Sequence, residues 1–262
     1  MATGDLLSVV IPSWREGPRL LEALSAARLC TGEAEFVVVA FEESADVRDA
    51  ARADGVIWID APRACRGLQL KLGAKVARGR QLLFLHADSR LPIEAGRLVN
   101  DALATPGVSG GAFHLRFDHV HPVLDLLSWM SGMTLPASFL GDQSLFCTRD
   151  AYDAAGGFRP EPLFEDVDMA TRLARVGRLV RLRQAVTTSA RRFRGNGAFR
   201  QLATNALLFA AYCAGVSPRR LSTIYQPNQA ERQIGRVEHG QRDPRGTARE
   251  SSLSQRDKER HS

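Results

Sequence analysis

Four short apolar runs, each followed by a stretch with helical spacing, constrain this chain most. Ser8-Val9-Val10-Ile11-Pro12, Phe36-Val37-Val38-Val39-Ala40, Val56-Ile57-Trp58-Ile59 and Gln81-Leu82-Leu83-Phe84-Leu85 are apolar beyond an opening Ser8 or Gln81, and the first three are rich in β-branched residues. A strand that is apolar on both faces belongs inside a sheet covered on both sides. Between the runs, Leu20, Leu21, Leu24 and Ala27 recur at helical spacing, as do Leu68, Leu72 and Val76, and Ala45 to Ala53 reads as a helix. Strand and helix in alternation predict a parallel, doubly covered α/β sheet. Ligands of such sheets sit at the carboxyl ends of the strands. The residues after Ile11, Phe41 and Leu85 are therefore where chemistry is expected.

After residue 105 the pattern changes. Ala112 to Phe117 alternates like an antiparallel strand. Val120 to Met133 reads as an apolar helix, Leu145 to Cys147 as a short strand, and a helix begins near Glu165. Leu179 to Leu182 is a further strand, and Phe199 to Ala214 a long apolar helix. From Gln226 the chain loses its aromatics. Its last 37 residues carry eight Lys/Arg and six Asp/Glu, too little apolar surface to offset ordering entropy. The expected organisation is one domain over 1–227, with a nucleotide-binding half at 7–105 and an acceptor half at 106–227, then a disordered charged tail at 228–262.

Composition closes several routes. No apolar run reaches the roughly 18 residues of a membrane-spanning helix, and the N-terminus does not read as a signal peptide. The four cysteines are scattered with no CxxC pair, which predicts reduced thiols and a cytoplasmic protein. Lys+Arg number 35 against 29 Asp+Glu, a net charge of +6, nearly all of it arginine. No nucleic-acid motif accompanies that charge, so nucleic acid is not expected as a partner. The apolar stretch Leu202–Ala214, flanked by Arg191, Arg192, Arg194, Arg200, Arg219 and Arg220, is compatible with peripheral contact to a membrane surface.

No G-x-G-x-x-G fingerprint and no P-loop follow the first strand. Carboxylates stand at strand ends and helix starts instead. Asp88 of His86-Ala87-Asp88 could hold Mg²⁺ or Mn²⁺ against a diphosphate; it could equally cap a helix starting near Pro92. In Phe164-Glu165-Asp166-Val167-Asp168, Glu165 falls on a charged helix face with Asp168, Arg172 and Arg175. Asp166 falls on the apolar face with Ala170 and Leu173. A carboxylate leading a buried face is costly unless paired or functional, which makes Asp166 a candidate general base. Gly141-Asp142-Gln143 reads as a loop. Arg63, Arg66, Gln69 and Lys71 lead into the third helix, where phosphate contact and a solvated face are equally consistent with the pattern.

In order and spacing, Val9-Val10-Ile11-Pro12, Ala61 to Gln69, Phe84 to Asp88, Gly141-Asp142-Gln143, Gly156-Gly157-Phe158, Glu165-Asp166 and Thr187 to Phe193 resemble the inverting family 2 glycosyltransferases of GT-A fold. More narrowly they resemble the bacterial radical-SAM/selenodomain-associated branch. The resemblance covers roughly residues 7 to 225. It implies a mixed, mostly parallel Rossmann-like sheet with helices on both faces and C-terminal helices. It also implies a nucleotide-diphosphate sugar donor, an unidentified acceptor, a divalent cation and displacement at the anomeric carbon. Asp88 would be the metal ligand, with His86 and Ala87 beside it. Asp166 would take the acceptor proton and Glu165 would help position it. Asp142 and Gln143 would contact donor sugar or acceptor, and Pro12, Glu16, Arg63, Arg66 and Gln69 would line the donor site. The chain departs from the family at Ala40-Phe41-Glu42-Glu43-Ser44, where an Asp-Gly-Gly-Ser-type run is usual and Glu42 would substitute. A degenerate, non-catalytic sugar-nucleotide-binding or scaffold protein and a nucleotidyltransferase are the competing readings.

Overall fold

The computed structural model describes residues 6–132, 138–139, 143–190 and 198–224. Its elements run β1 (Leu7–Trp14), α1 (Pro18–Thr31), β2 (Ala34–Phe41), α2 (Ala45–Ala53), β3 (Ile57–Asp60), α3 (Arg66–Val76), β4 (Gln81–Phe84), β5 (Ser89–Arg90), α4 (Ala95–Leu103), β6 (Val108–Phe117), α5 (Pro122–Met130), β7 (Phe146–Thr148), α6 (Arg149–Ala154), α7 (Glu165–Val176), β8 (Arg178–Thr188), α8 (Ala198–Cys213) and α9 (Pro218–Ile224). The eight strands form one sheet in the order β3-β2-β1-β4-β7-β6-β8-β5.

The first half matches its expectation. β3, β2, β1 and β4 are parallel neighbours. Val9, Val10 and Ile11, and Val37, Val38 and Val39, are fully buried. The alternating faces of these strands feed two separate apolar layers. One layer packs α1, α2 and α4 through Leu20, Leu24, Val47, Val99 and Leu103. The other packs α3, α6 and α7 through Leu70, Ala74, Tyr152, Met169 and Leu173. Glycine makes the second layer close: a Cβ on Gly73 would run into Val10, so α3 lies directly on β1.

The second half differs in one respect. β6 is antiparallel to β7, but only at Gly110 and Gly111. For nearly its whole length it pairs in parallel with β8. Alternation gives a strand and its faces, not the direction of its neighbour. α6 and α9 carry too few residues for a periodic signal. The expected tail from 228 lies outside the described residues.

Candidate active site

β1, β2, β3 and β4 run in one direction, so the loops after Trp14, Phe41, Asp60 and Phe84 open at one edge of the sheet. Arg66 opens α3 just past β3, and Glu165 and Asp166 open α7. These two helix starts meet. The Arg66 guanidinium donates through Nε to Glu165 Oε1, linking residues 99 apart in sequence. The approach is permitted by Gly67, whose hypothetical Cβ would overlap the Arg159 carbonyl and lie 2.8 Å from the Glu161 carbonyl. Thus α3 abuts the segment that leads into α7.

Glu165 is wholly enclosed, where sequence spacing placed it on the charged face. The reason is that an intrahelical pattern cannot register a cation delivered by another helix. Asp168, by contrast, pairs on the surface side with Arg172 at 2.6 Å and Arg159 at 3.1 Å. Asp166 is 5% exposed, in line with Met169, Ala170 and Leu173 at 0%. Burial pushes its carboxyl up to about 7, and the neighbouring Glu165 charge adds to the shift. The charges of Arg66 and His86 pull back against it, so His86 belongs to the same cluster. A side-chain hydrogen bond with Glu165 also favours the protonated Asp166. Glu165 Oε2 is buried with no conventional donor in reach, which leaves the Asp166 proton as the one it can accept.

Asp88 follows the buried His86 and Ala87 and is half-buried. The capping alternative does not hold: α4 begins at Ala95, its N-cap is Glu94 in the left-handed region, and no side chain caps it. Among the described residues Asp88 has neither a hydrogen-bond nor an ion-pair partner, and no group of three His, Cys, Asp or Glu side chains converges on a metal position. A lone, partly solvated carboxylate fits the chemistry of Mg²⁺ or Mn²⁺ held by one or two carboxylates with substrate phosphates, and does not fit an all-protein cage.

Other expected site residues carry structural bonds. Gln69 is buried and donates from Nε2 to the Ser13 carbonyl at 2.8 Å and the Val39 carbonyl at 2.9 Å, tying α3 to β1 and β2. Gln143 is buried; it accepts from Arg181 and donates to the Ser138 carbonyl at 2.8 Å. Arg181 in turn lies 4.0 Å over the Phe139 ring, and burial lowers its pKa to about 10. Pro12 is buried within β1, and Arg63 is exposed in the loop before α3. Asp142 lies outside the described residues, as do Arg191, Arg192 and Arg194.

Glu42, at φ 55°, accepts from the Trp14 indole at 3.1 Å and pairs with Arg15 at 2.8 Å. Its neighbour Glu43 is one of the strand-end carboxylates of the sequence, with no role assigned to it there. Glu43 accepts from Ser13 Oγ at 2.7 Å and from the backbone N–H groups of Glu16 and Gly17 at 2.7 and 3.0 Å. It thereby fixes the β1–α1 loop that carries Glu16. Two consecutive carboxylates facing a Gly-Pro helix start were the available signal.

α8 has a mixed environment. Tyr212 stacks on Phe164 at 4.7 Å and Leu208 is buried, whereas Leu207 is 73% exposed. Among the described residues no helix is long and apolar enough to cross a membrane.

No known family profile matches the chain, and no curated protein matches it. Solved structures do match. A mannosyltransferase from Pyrobaculum calidifontis, solved with GDP-Man and Mn²⁺, superposes with a TM-score of 0.61 at 18% identity, over 82% of this chain and 65% of its own. TarS from S. aureus matches with a TM-score of 0.57 at 13% identity, over 70% of this chain and 36% of its own. Glucosyl-3-phosphoglycerate synthase from Mycobacterium tuberculosis, solved with Mn²⁺, UDP and glucosyl-3-phosphoglycerate, matches with a TM-score of 0.52 at 15% identity, over 70% and 71%. The chain therefore spans about a third of TarS and just under two thirds of the mannosyltransferase. The fold is the GT-A fold, and the neighbours that share it are glycosyltransferases.

Proposed function

We propose that the chain is an inverting glycosyltransferase that moves a sugar from a nucleotide diphosphate to an acceptor hydroxyl. The observation that carries this reading is the cluster of Arg66, His86, Glu165 and Asp166 at the ligand-binding edge of the sheet, next to an unpartnered Asp88. The GT-A fold and neighbours solved with Mn²⁺ and nucleotide ligands support it.

Asp88 would hold the cation, which when bound offsets the diphosphate charge that a bare carboxylate would repel. His86 and Ala87, both buried, lie between the end of β4 and Asp88. Glu43 orders the β1–α1 loop, where Glu16 faces the nucleotide. Glu42, Trp14 and Arg15 form a linked group at the neighbouring strand end, beside the base or ribose. Asp166 accepts the acceptor's hydroxyl proton as that oxygen attacks the anomeric carbon. A base held near pH 7 combines availability with driving force and is worth roughly 10²–10⁴-fold. Arg66 and Glu165 act through Asp166, by fixing its place and its charge. A single displacement inverts the anomeric centre.

The test is turnover of a nucleotide-sugar panel with Mn²⁺. Asp166→Asn keeps shape and removes the base, so it should lower turnover at least about a hundredfold while leaving nucleotide binding within a few-fold. Normal turnover by this variant would place the base elsewhere.

A further inference from the structure

β6 and β8 do not pair evenly. Phe113 faces Leu182, but His114 faces Ala185, so Arg183 and Gln184 have no partner on β6. Bulges of this kind re-aim side chains and concentrate next to functional sites. This one borders a cavity of about 450 Å³ between α5 and the two strands, lined among others by His114, Arg116, Asp125, Ser128, Arg183 and Thr187. That volume lies within the roughly 300–1,000 Å³ of small-molecule sites.

The lining is cationic. Arg116 and Arg183 have no hydrogen-bond or ion-pair partner among the described residues. Asp125 is the opposing charge. His114 adds none near neutrality: burial, then Arg181 and Arg116, hold its imidazole below the ordinary value. Its tautomer follows from Ser131, whose single hydroxyl hydrogen goes to the Ser128 carbonyl at 2.6 Å. Ser131 Oγ must then accept at 2.7 Å from His114 Nδ1–H, as it does at 2.9 Å from the Leu115 N–H. Nε2 of His114 is left as an acceptor suited to a hydroxyl.

The cavity also adjoins the candidate site. Thr187 pairs with Arg90 and Thr188 with Ser89, and Ser89 follows Asp88 directly. Neighbouring strands lie about 4.8 Å apart, so this wall is one strand away from the residues that leave Asp88.

We propose that this cavity is the acceptor subsite and that the acceptor carries a phosphate monoester beside its reactive hydroxyl. The assignment to the acceptor rests on the glycosyltransferase reading; the anion site itself does not. Two forked guanidiniums suit a phosphate, and the neutral imidazole suits a second, non-reacting hydroxyl of the same acceptor, the reacting hydroxyl's proton going to Asp166. The phosphate can belong to a soluble phosphoester or to a lipid headgroup.

Calorimetric titration with glycerol 3-phosphate at low salt probes the first source. Sedimentation with phosphatidylcholine vesicles, with and without phosphatidic acid, probes the second. Saturable binding is expected in at least one arm. The double variant Arg116→Ala/Arg183→Ala should weaken it at least about tenfold, and Asp125→Asn should tighten it about two- to fivefold. Both variants should melt within a few degrees of the wild type, since the altered side chains have no partners in the fold. No binding in either arm, or binding indifferent to the double variant, overturns the proposal. Mn²⁺-dependent UDP binding, measured on the same samples, separates the two readings. UDP binding without phosphate binding sinks only the subsite. Phosphate binding without UDP or any nucleotide-sugar binding keeps an anion site but overturns its assignment to an acceptor.

Discussion

Asp166 should oppose the stability of its own fold, and the size of that effect follows from its surroundings. Its carboxyl titrates at about 7 in the folded chain against 3.8 in the open one. Between those values the native state keeps a proton that the unfolded chain has released. A raised folded value means stability that is complete below the unfolded value and is lost as pH climbs through the folded one. The gap is about three pKa units, each worth about 1.36 kcal/mol, so ionised Asp166 costs up to about 4 kcal/mol above pH 8. Asp166→Asn keeps the volume and the donor toward Glu165 and cannot ionise. At pH 8.5 it should be more stable than the wild type by several kcal/mol. For a domain of this size each kcal/mol moves the melting temperature about 2–4 °C. At pH 5 the folded wild type is protonated but the unfolded chain is already ionised, so the gap should have shrunk to about 1.6 kcal/mol, and the two curves should meet only below the unfolded value of 3.8. Calorimetry or circular dichroism from pH 5 to 8.5 reads this directly. A melting difference that does not change with pH would refute the buried, high-pKa carboxylate and with it the physical case for Asp166 as the base.

Arg66→Gln removes the charge that pulls the Asp166 pKa down, so the acid limb of the turnover profile should move to higher pH. An unshifted limb would mean that Arg66 does not reach Asp166. Gly67→Ala forces a methyl group into two backbone carbonyls and should cost about 1–3 kcal/mol, near the upper end because backbone cannot step aside. A neutral result there would deny the close contact between α3 and the approach to α7. Truncation after Pro227 should leave the melting temperature within about two degrees, since the removed segment lacks aromatics and is rich in charge. A loss of several degrees would mean that the tail docks on the domain.

The parallel half of the fold was legible because strands buried on both faces must be apolar at every position, and Val9 to Ile11 and Val37 to Val39 satisfy that with β-branched residues. The partnership of β6 with β8 was not, because alternation encodes faces and leaves the neighbour open. Asp166 was legible as a carboxylate out of place on an apolar stripe. The enclosure of Glu165 was not, because its cation comes from a helix start 99 residues away. Gln69 stood out in sequence beside a basic run that suggested phosphate, whereas in the fold its amide is spent on two backbone carbonyls. The cavity at His114 depends on a slip of two residues between strands, and no spacing within either strand announces it.

A cation-dependent nucleotide-sugar site built around Asp88 is read out by calorimetric titration of UDP and GDP with and without Mn²⁺. Wild-type protein should bind at least one of the two with Mn²⁺ present and at least about tenfold more weakly in EDTA. Asp88→Ala should bind weakly under both conditions and lose the difference between them. Equal affinity with and without the cation, or an Asp88→Ala variant that keeps full Mn²⁺ dependence, would rule out a donor cation held by Asp88.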